Sequence, residues 1–237
     1  MTSNKLKIIA CISMLVDHIG FLLFPQIQVL RYIGRIALPI FAYFIAQGCI
    51  HTLSRRKYFL SVLTLALLCQ IVYFVEGLIN GGIRTVDLNI LFTFALSIVI
   101  CSSYLALTQQ QSLYPRKVLN AAFFAGALAI SVFLCVFLNR LSPIPINFDY
   151  GIAGVLLPLF AVISVQKEKQ LPLFFIGLVL FNIVMAEQLS YTWYSFLSIP
   201  LLLAYNGKRG TRRLKYFFYL FYPLHFAAIY LIKLIAF

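Results

Sequence analysis

The feature that most constrains this chain is a succession of long apolar runs divided by short basic or turn-like segments. A bilayer's hydrocarbon core is about 30 Å thick, so a helix of roughly 20 apolar residues crosses it. Such runs fall near 6–24, 32–50, 58–79, 88–107, 118–138, 150–165, 172–188, 191–205 and 216–235, those at 150–165 and 191–205 being the shortest. The separators FPQ, HTLSRRK, NGGIRT, TQQQSLYPRK, NRLSPIPIN, QKEKQ and NGKRGTRR hold the turn formers and many of the charges. No soluble domain, internal repeat or long linker interrupts them. The pattern predicts an all-α fold: one integral-membrane domain over 1–237, a polytopic helical bundle of about nine transmembrane helices.

Composition agrees. Of 237 residues, 62% are apolar and 11% charged, where soluble domains carry about 25% charged residues. Mean hydropathy is +0.96. A net charge of +13 would suggest nucleic acid in a soluble protein. Here the basic residues sit in short loops, which makes membrane lipid the expected partner and excludes nucleic acid. With the N-terminus inside, 14 of the 19 basic residues fall in inner segments, leaving Arg31, Arg35, Arg84, Arg140 and Lys233 outside. The positive-inside rule therefore predicts N-in, C-out. No cleavable signal is expected, because the first run lacks a small-residue cleavage site. The five cysteines lie within apolar runs without paired spacing, so they read as buried hydrophobes, with no metal site implied.

Within the first run, MLVDHIGFLLFP places Asp17 and His18 among apolar neighbours. A central Asp costs roughly 2.5–3.5 kcal/mol on insertion scales, so the pair needs a partner, a wet pocket, or both. Glu76, Asp87, Asp149 and Glu187 map to the same outer half. Ionisable groups from at least four helices thus converge at one depth, which marks the candidate site.

Several of these residues admit two readings. Asp17 and His18 point about 100° apart on a helix. Asp17 shares a face with Ser13 and Gly20, and His18 with Cys11 and Met14. The pair is either an Asp–Arg clamp beside a core histidine or a catalytic unit whose base, His18, titrates near neutrality. Arg31 and Arg35 share a helix face. Arg31 either snorkels to lipid phosphate or lines the site, whereas Arg35, a turn deeper, takes Asp17 or Asp149 as its partner. Asn89 and Thr93 in LNILFTF either cap and pack or line the cavity. In FDYGIAG, Asp149 is a helix N-cap or a site residue, with Tyr150 beside it, and Gly151 and Gly154 permit close approach. His225, after Pro223 in FYLFYPLH, is a structural node or a site residue. His51 is interfacial. No phosphate-binding glycine loop, nucleophile elbow or zinc-protease motif is present.

KIIACISMLVDHIG, LRYIGRIALPIFAYFIAQGCIHT, NILFT, FDYGIAGVLLP and FYLFYPLH, in that order, resemble the TraX family over nearly the whole chain. Its founding members are conjugation-associated inner-membrane proteins required for N-terminal acetylation of pilin. Leu38 and Gln47 depart from the family's usual Phe and acidic residue. The family is itself similar to transmembrane acyltransferases in which a basic residue ten residues before a first-helix His marks the active site. Lys7-x10-His18 looks like that arrangement.

The resemblance implies a bacterial inner-membrane, multi-pass acetyltransferase that takes acetyl from acetyl-CoA. His18 would deprotonate the acceptor or carry the acyl group, with Asp17, Arg35 and Asp149 shaping the cavity and Asn89 on the thioester carbonyl. The acceptor would be the N-terminal amine of pilin, or alternatively an envelope glycan hydroxyl. The loop KRGTRRLK would hold CoA phosphates, unless it is only a positive-inside signal for anionic lipid. A small-solute transporter would also need intramembrane charges, but the second half has no repeat of the D-H or R-x-x-x-R motifs. A structural subunit of a conjugation or secretion complex would leave Asp17 and His18 without a purpose.

Overall fold

The fold is taken from a computed structural model, which describes all residues but 80–84, 109–113, 165, 188–189, 211–213 and 237. Arg84, Arg212 and Arg213, parts of the NGGIRT, TQQQSLYPRK and KRGTRRLK separators, and residues 165 and 188 at the ends of two expected runs lie outside the described residues.

Among the described residues each apolar run is mainly helical. The helices are α1 (Ser3–Leu22), α2 (Gln28–Gly34), α3 (Ala37–His51), α4 (Arg55–Ile79), α5 (Ile90–Thr108), α6 (Tyr114–Val132), α7 (Leu138–Leu141), α8 (Gly151–Val162), α9 (Lys167–Met185), α10 (Ser198–Leu203) and α11 (Lys215–Ala236). A π-helical turn at Phe133–Phe137 joins α6 to α7, and a 3₁₀ segment at Ser190–Leu197 leads into α10. Among the described residues, six helices are long and apolar enough to cross a membrane: Gln28–His51, Arg55–Ile79, Ile90–Thr108, Arg116–Phe137, Lys167–Met185 and Tyr216–Ala236. The 20-residue α1 carries Lys5, Lys7, Asp17 and His18 on a comparable length. The expected crossings at 150–165 and 191–205 are shorter pieces. α8 has 12 residues, about 18 Å at 1.5 Å per residue, which falls short of the hydrocarbon thickness.

α3 is the centre. Its buried Ile40, Tyr43, Phe44 and Ala46 pack with Leu6, Ala10 and Met14 of α1, Ile98 and Leu105 of α5, Leu157 of α8, and Phe174 and Leu178 of α9. The small Ala42 and Ala46, both fully buried, form the stripe that lets neighbouring helices close on α3. The outer helices bury little. Leu67, Leu68, Ile71 and Leu78 of α4 and Leu224, Leu231 and Ile235 of α11 are exposed, the surface lipid would cover. Four cysteines are buried and all five are free thiols.

Two connections position the site. The helix from Gln28 to His51 breaks at Arg35–Ile36, so α2 and α3 are separate segments and Pro39 falls in the first turn of α3, where its missing N–H costs nothing. A pair of three-residue strands, β1 (Val86–Leu88) and β2 (Ile146–Phe148), runs parallel with Asp87 opposite Asn147. Asn147 Nδ2 donates to Asp87 Oδ1 at 2.9 Å, and Asp149 N donates to Leu88 O at 3.3 Å. The expected helix at 88–107 therefore begins two residues later, after a strand that ties the starts of α5 and α8 together.

At the other end of the bundle, Ser3 N donates to Lys208 O and Asn206 N to Met1 O, each at 2.9 Å. Lys7 Nζ lies 5.9 Å from the Phe218 ring centre and His18 Nδ1 2.8 Å from His225 Nε2, so α11 runs parallel to α1. The start of α1 and the end of α11 lie at opposite ends of the bundle.

Candidate active site

Asp17 and His18 leave α1 in different directions and meet different helices. Asp17 faces α2. Its Oδ2 accepts from Arg31 Nη1 at 2.8 Å and its Oδ1 from Arg35 Nη2 at 2.5 Å. Small side chains allow the approach: a Cβ on Gly34 would collide with the Asp17 side chain, and one on Gly20 would meet Leu30 Cβ at 2.6 Å. Ser13 Oγ, one turn below Asp17, donates to Ile33 O at 2.5 Å. Asp17 is 8% exposed and Arg35 5%, so the clamp is a desolvated charge cluster whose members depend on one another.

Two tyrosines complete it. Arg35 Nη1 donates to the hydroxyl of Tyr150. The Tyr191 ring lies 5.2 Å from Arg35 Cζ and 5.7 Å from Arg31 Cζ, a cation–π floor under both guanidiniums. Tyr150 adopts a left-handed backbone, φ 58°, as the residue before α8. That conformation costs a β-carbon residue roughly 1–2 kcal/mol, and it is held by contacts on both sides. Thr93 Oγ1 donates to Asp149 O at 2.8 Å, and Gly154 leaves room for Thr93 Cγ2.

His18 faces α11. Its Nδ1 lies 2.8 Å from His225 Nε2. The ring centres are 5.0 Å apart and the planes differ by 9°. With so short a nitrogen–nitrogen distance and so wide a centre separation, the N···N line must run along both ring planes. The two imidazoles therefore meet edge to edge, the alignment a hydrogen bond requires. Phe226 sets its ring perpendicular to His18 at 5.3 Å, and Phe221 stacks on His225 at 4.9 Å.

The two systems share a cavity of about 70 Å³, lined by Met14, Asp17, His18, Arg35, Phe41, Tyr73, Asp149, Tyr150 and Tyr222 among others. It is too small for a cofactor-sized molecule, whose pockets run to several hundred Å³, yet large enough for a two-carbon group or a few waters. Asp149 is exposed and lines this cavity. Beyond the clamp lies a larger groove of about 310 Å³, lined by Gly20, Phe21, Pro25, Gln28, Arg31, Tyr32 and Tyr191. The Arg31–Asp17 ion pair is the wall between groove and cavity.

Comparison with known proteins decides the family. The TraX family profile, described as TraX protein, matches residues 2–233. The chain belongs to the TraX family. It is 24% identical over 248 residues to the probable fimbrial assembly protein FimC, serogroup H1, of Dichelobacter nodosus, covering 95% of this chain and 93% of that one. It is also 26% identical over 171 residues to the uncharacterized protein RP591 of Rickettsia prowazekii (strain Madrid E), covering 72% of this chain and 58% of that one. No solved structure matches.

In this TraX-family chain the residues singled out from sequence divide into three groups. Asp17, His18, Arg35, Asp149 and Tyr150 line the cavity, and His225 joins them through its bond to His18. Arg31 turns inward: it pairs with Asp17 and packs on Phe21 at 4.9 Å instead of reaching for lipid phosphate. Asn89 and Thr93 are packing residues. Asn89 Nδ2 donates to Ala66 O at 2.9 Å and Gln70 Oε1 at 3.0 Å, while its Oδ1 caps Leu91 N at 3.1 Å. That leaves Asn89 nothing to offer a thioester carbonyl. Asp149 is not an N-cap, since the cap position belongs to Tyr150 and carries no side-chain bond. Gly151 has φ +50° and open space around it, so it serves backbone conformation and not close packing. Lys7 sits at the far end of α1, roughly 16 Å from His18 along the axis, with its Nζ 5.0 Å from the Phe44 ring centre.

Sequence reasoning missed Tyr73, Tyr191 and Gln70. Gln70 Nε2 donates to Asp87 O at 3.0 Å and its Oε1 accepts from Asn89 N, which anchors the strand pair to α4. A glutamine inside the 58–79 run was the signal that could have found it. Tyr73 and Tyr191 offered none, because the chain has 14 tyrosines. Gln47, a departure from the family pattern, donates to Gln170 Oε1 at 3.0 Å and joins α3 to α9. Among the described residues no cluster of metal-ligating side chains occurs.

Proposed function

We propose that this chain is a membrane-integral acetyltransferase of the bacterial inner membrane, moving acetyl from acetyl-CoA to the N-terminal amine of pilin. The observation that carries the reading is His18: an imidazole bordering a small cavity beside a fully paired charge cluster, in a chain of the TraX family. The relative named for fimbrial assembly supports an acceptor of the pilin class.

The acceptor nitrogen attacks the acetyl carbonyl carbon while His18 takes a proton from that nitrogen. The carbon–sulfur bond then breaks, and the proton returns from His18 to the departing thiolate. Amide and free thiol are the products, and no charge is left over. Base catalysis of this type is worth about 10²–10⁴ in rate. Arg35, held by Asp17 and Tyr150, directs positive charge at the cavity where the tetrahedral oxyanion develops. The cavity admits the acyl end alone. The phosphates of the donor stay at the inner end of α1, near Lys5, Lys7, Lys208 and Arg209, and the acceptor arrives from the groove beside Arg31.

Mass spectrometry of pilin from cells with the gene, without it, and with His18→Ala tests the proposal. The N-terminal acetyl mark is expected only with the intact gene. An acetyl mark that persists without the gene overturns the reading, and a mark lost from envelope glycans in its place moves the acceptor to a hydroxyl.

A further inference from the structure

The geometry points to His225 as a positioning residue: through the hydrogen bond to His18, the backbone carbonyl of Phe221 fixes which nitrogen of His18 is free to react. The inference rests on the acetyltransferase reading for its consequence but not for its geometry.

One group in this chain of bonds has no choice of role. Phe221 O can only accept. His225 Nδ1 lies 2.8 Å from it, so that nitrogen carries the proton. A neutral imidazole has one N–H, which leaves His225 Nε2 with its lone pair. His18 Nδ1, 2.8 Å away and in line with both ring planes, must then be the donor. The remaining nitrogen, His18 Nε2, carries a lone pair, and no described residue is hydrogen-bonded to it. Both histidines are thus held in the Nδ1–H tautomer, and Nε2 is the basic nitrogen of His18, a residue that lines the cavity.

The packing makes the assignment stiff. His225 is gripped through its ring by Phe221 on one face, and the edges of Tyr222 and Phe226 meet it at 5.6 and 6.4 Å. Phe221 and His225 are one turn apart on α11, so a single element supplies carbonyl, stacking ring and acceptor nitrogen. When His18 Nε2 takes a proton, its Nδ1–H still points at the His225 lone pair, and the imidazolium is stabilised without rearrangement. Nothing anionic is needed in the role that a carboxylate plays in hydrolytic triads. Asp17, the neighbouring carboxylate, is committed to its two arginines.

Ring-nitrogen NMR of protein labelled with ¹⁵N-histidine tests this directly, since the chain has three histidines and His51→Gln removes the exposed one. At about pH 8, above the ordinary histidine range, both remaining rings should show a protonated Nδ1 and a bare Nε2. A protonated Nε2 on His18 overturns the relay whether or not the protein transfers acetyl. The kinetic arm uses two variants. His225→Phe keeps a ring but offers no acceptor, and should lower kcat roughly 10²-fold with the KM for acetyl-CoA unchanged. His225→Gln offers an oxygen as acceptor and should recover much of the loss. Equal kcat in both variants, or wild-type kcat in His225→Phe, contradicts the relay while leaving acetyl transfer itself standing.

Discussion

Two guanidiniums share the Asp17 carboxylate, so a change at that one residue strips both of their counter-charge. Removing one side of a buried pair costs about 3–5 kcal/mol. Asp17→Asn should lose that much in thermal unfolding followed in detergent; a loss below about 1 kcal/mol would mean that water, not Asp17, satisfies the arginines. Gly34→Ala separates packing from propensity. Alanine favours a helix by about 1 kcal/mol over glycine, yet here its Cβ would fall on the Asp17 side chain. The variant should lose acetyl transfer despite its better helix former, and undiminished transfer would show that the clamp can shift. Asn89 has the opposite profile. Asn89→Ala should cost about 1–3 kcal/mol by removing the side-chain bonds to Ala66 O and Gln70 Oε1 and the cap on Leu91 N, with the KM for acetyl-CoA unchanged. A raised KM would return Asn89 to the donor site.

At the level of elements, the strand pair and the α2–α3 break decide where these residues meet. β1 and β2 hold the starts of α5 and α8 together, and Thr93 carries that tie to Asp149 and so to Tyr150. Thr93→Val should cost about 1 kcal/mol and lower kcat, because the tyrosine that positions Arg35 loses its support; loss of stability with kcat intact would make the tie purely architectural. The sequence was easiest to read where one physical signal ran long. The apolar runs at 58–79 and 216–235 end within three residues of the observed helices Arg55–Ile79 and Lys215–Ala236. Three-residue strands have too few side chains to show a period, and the break at Arg35–Ile36 has apolar helix-forming sequence on both sides, so neither could be seen. The same contrast holds in the site. Asp17, His18 and Arg35 stood out because ionisable groups in a hydrophobic run are costly. Asn89 did not show its true task, because a polar residue starting a helix looks alike whether it caps or faces a cavity.

For the whole molecule, α1 and α11 lie parallel, with Lys7 Nζ 5.9 Å from the Phe218 ring centre and His18 Nδ1 2.8 Å from His225 Nε2 further along both helices. The start of α1 and the end of α11 therefore lie at opposite ends of the bundle, and from the excess of Lys and Arg in the segments level with residue 5 we propose that this end faces the cytoplasm. Reporter fusions at the two ends should give opposite compartments, N-terminus inside; fusions reporting one compartment would contradict the path of the chain through the bundle. In that proposed orientation His18 lies toward the outer leaflet, with the Lys5, Lys7, Lys208 and Arg209 end beneath it and the Arg31 groove above. If His18 carries acetyl transfer across this arrangement, purified protein in lipid must show it. With labelled acetyl-CoA and mature pilin, the wild-type chain should acetylate the pilin N-terminus and His18→Ala should do so at least roughly 10²-fold more slowly. Transfer by His18→Ala at the wild-type rate would contradict it.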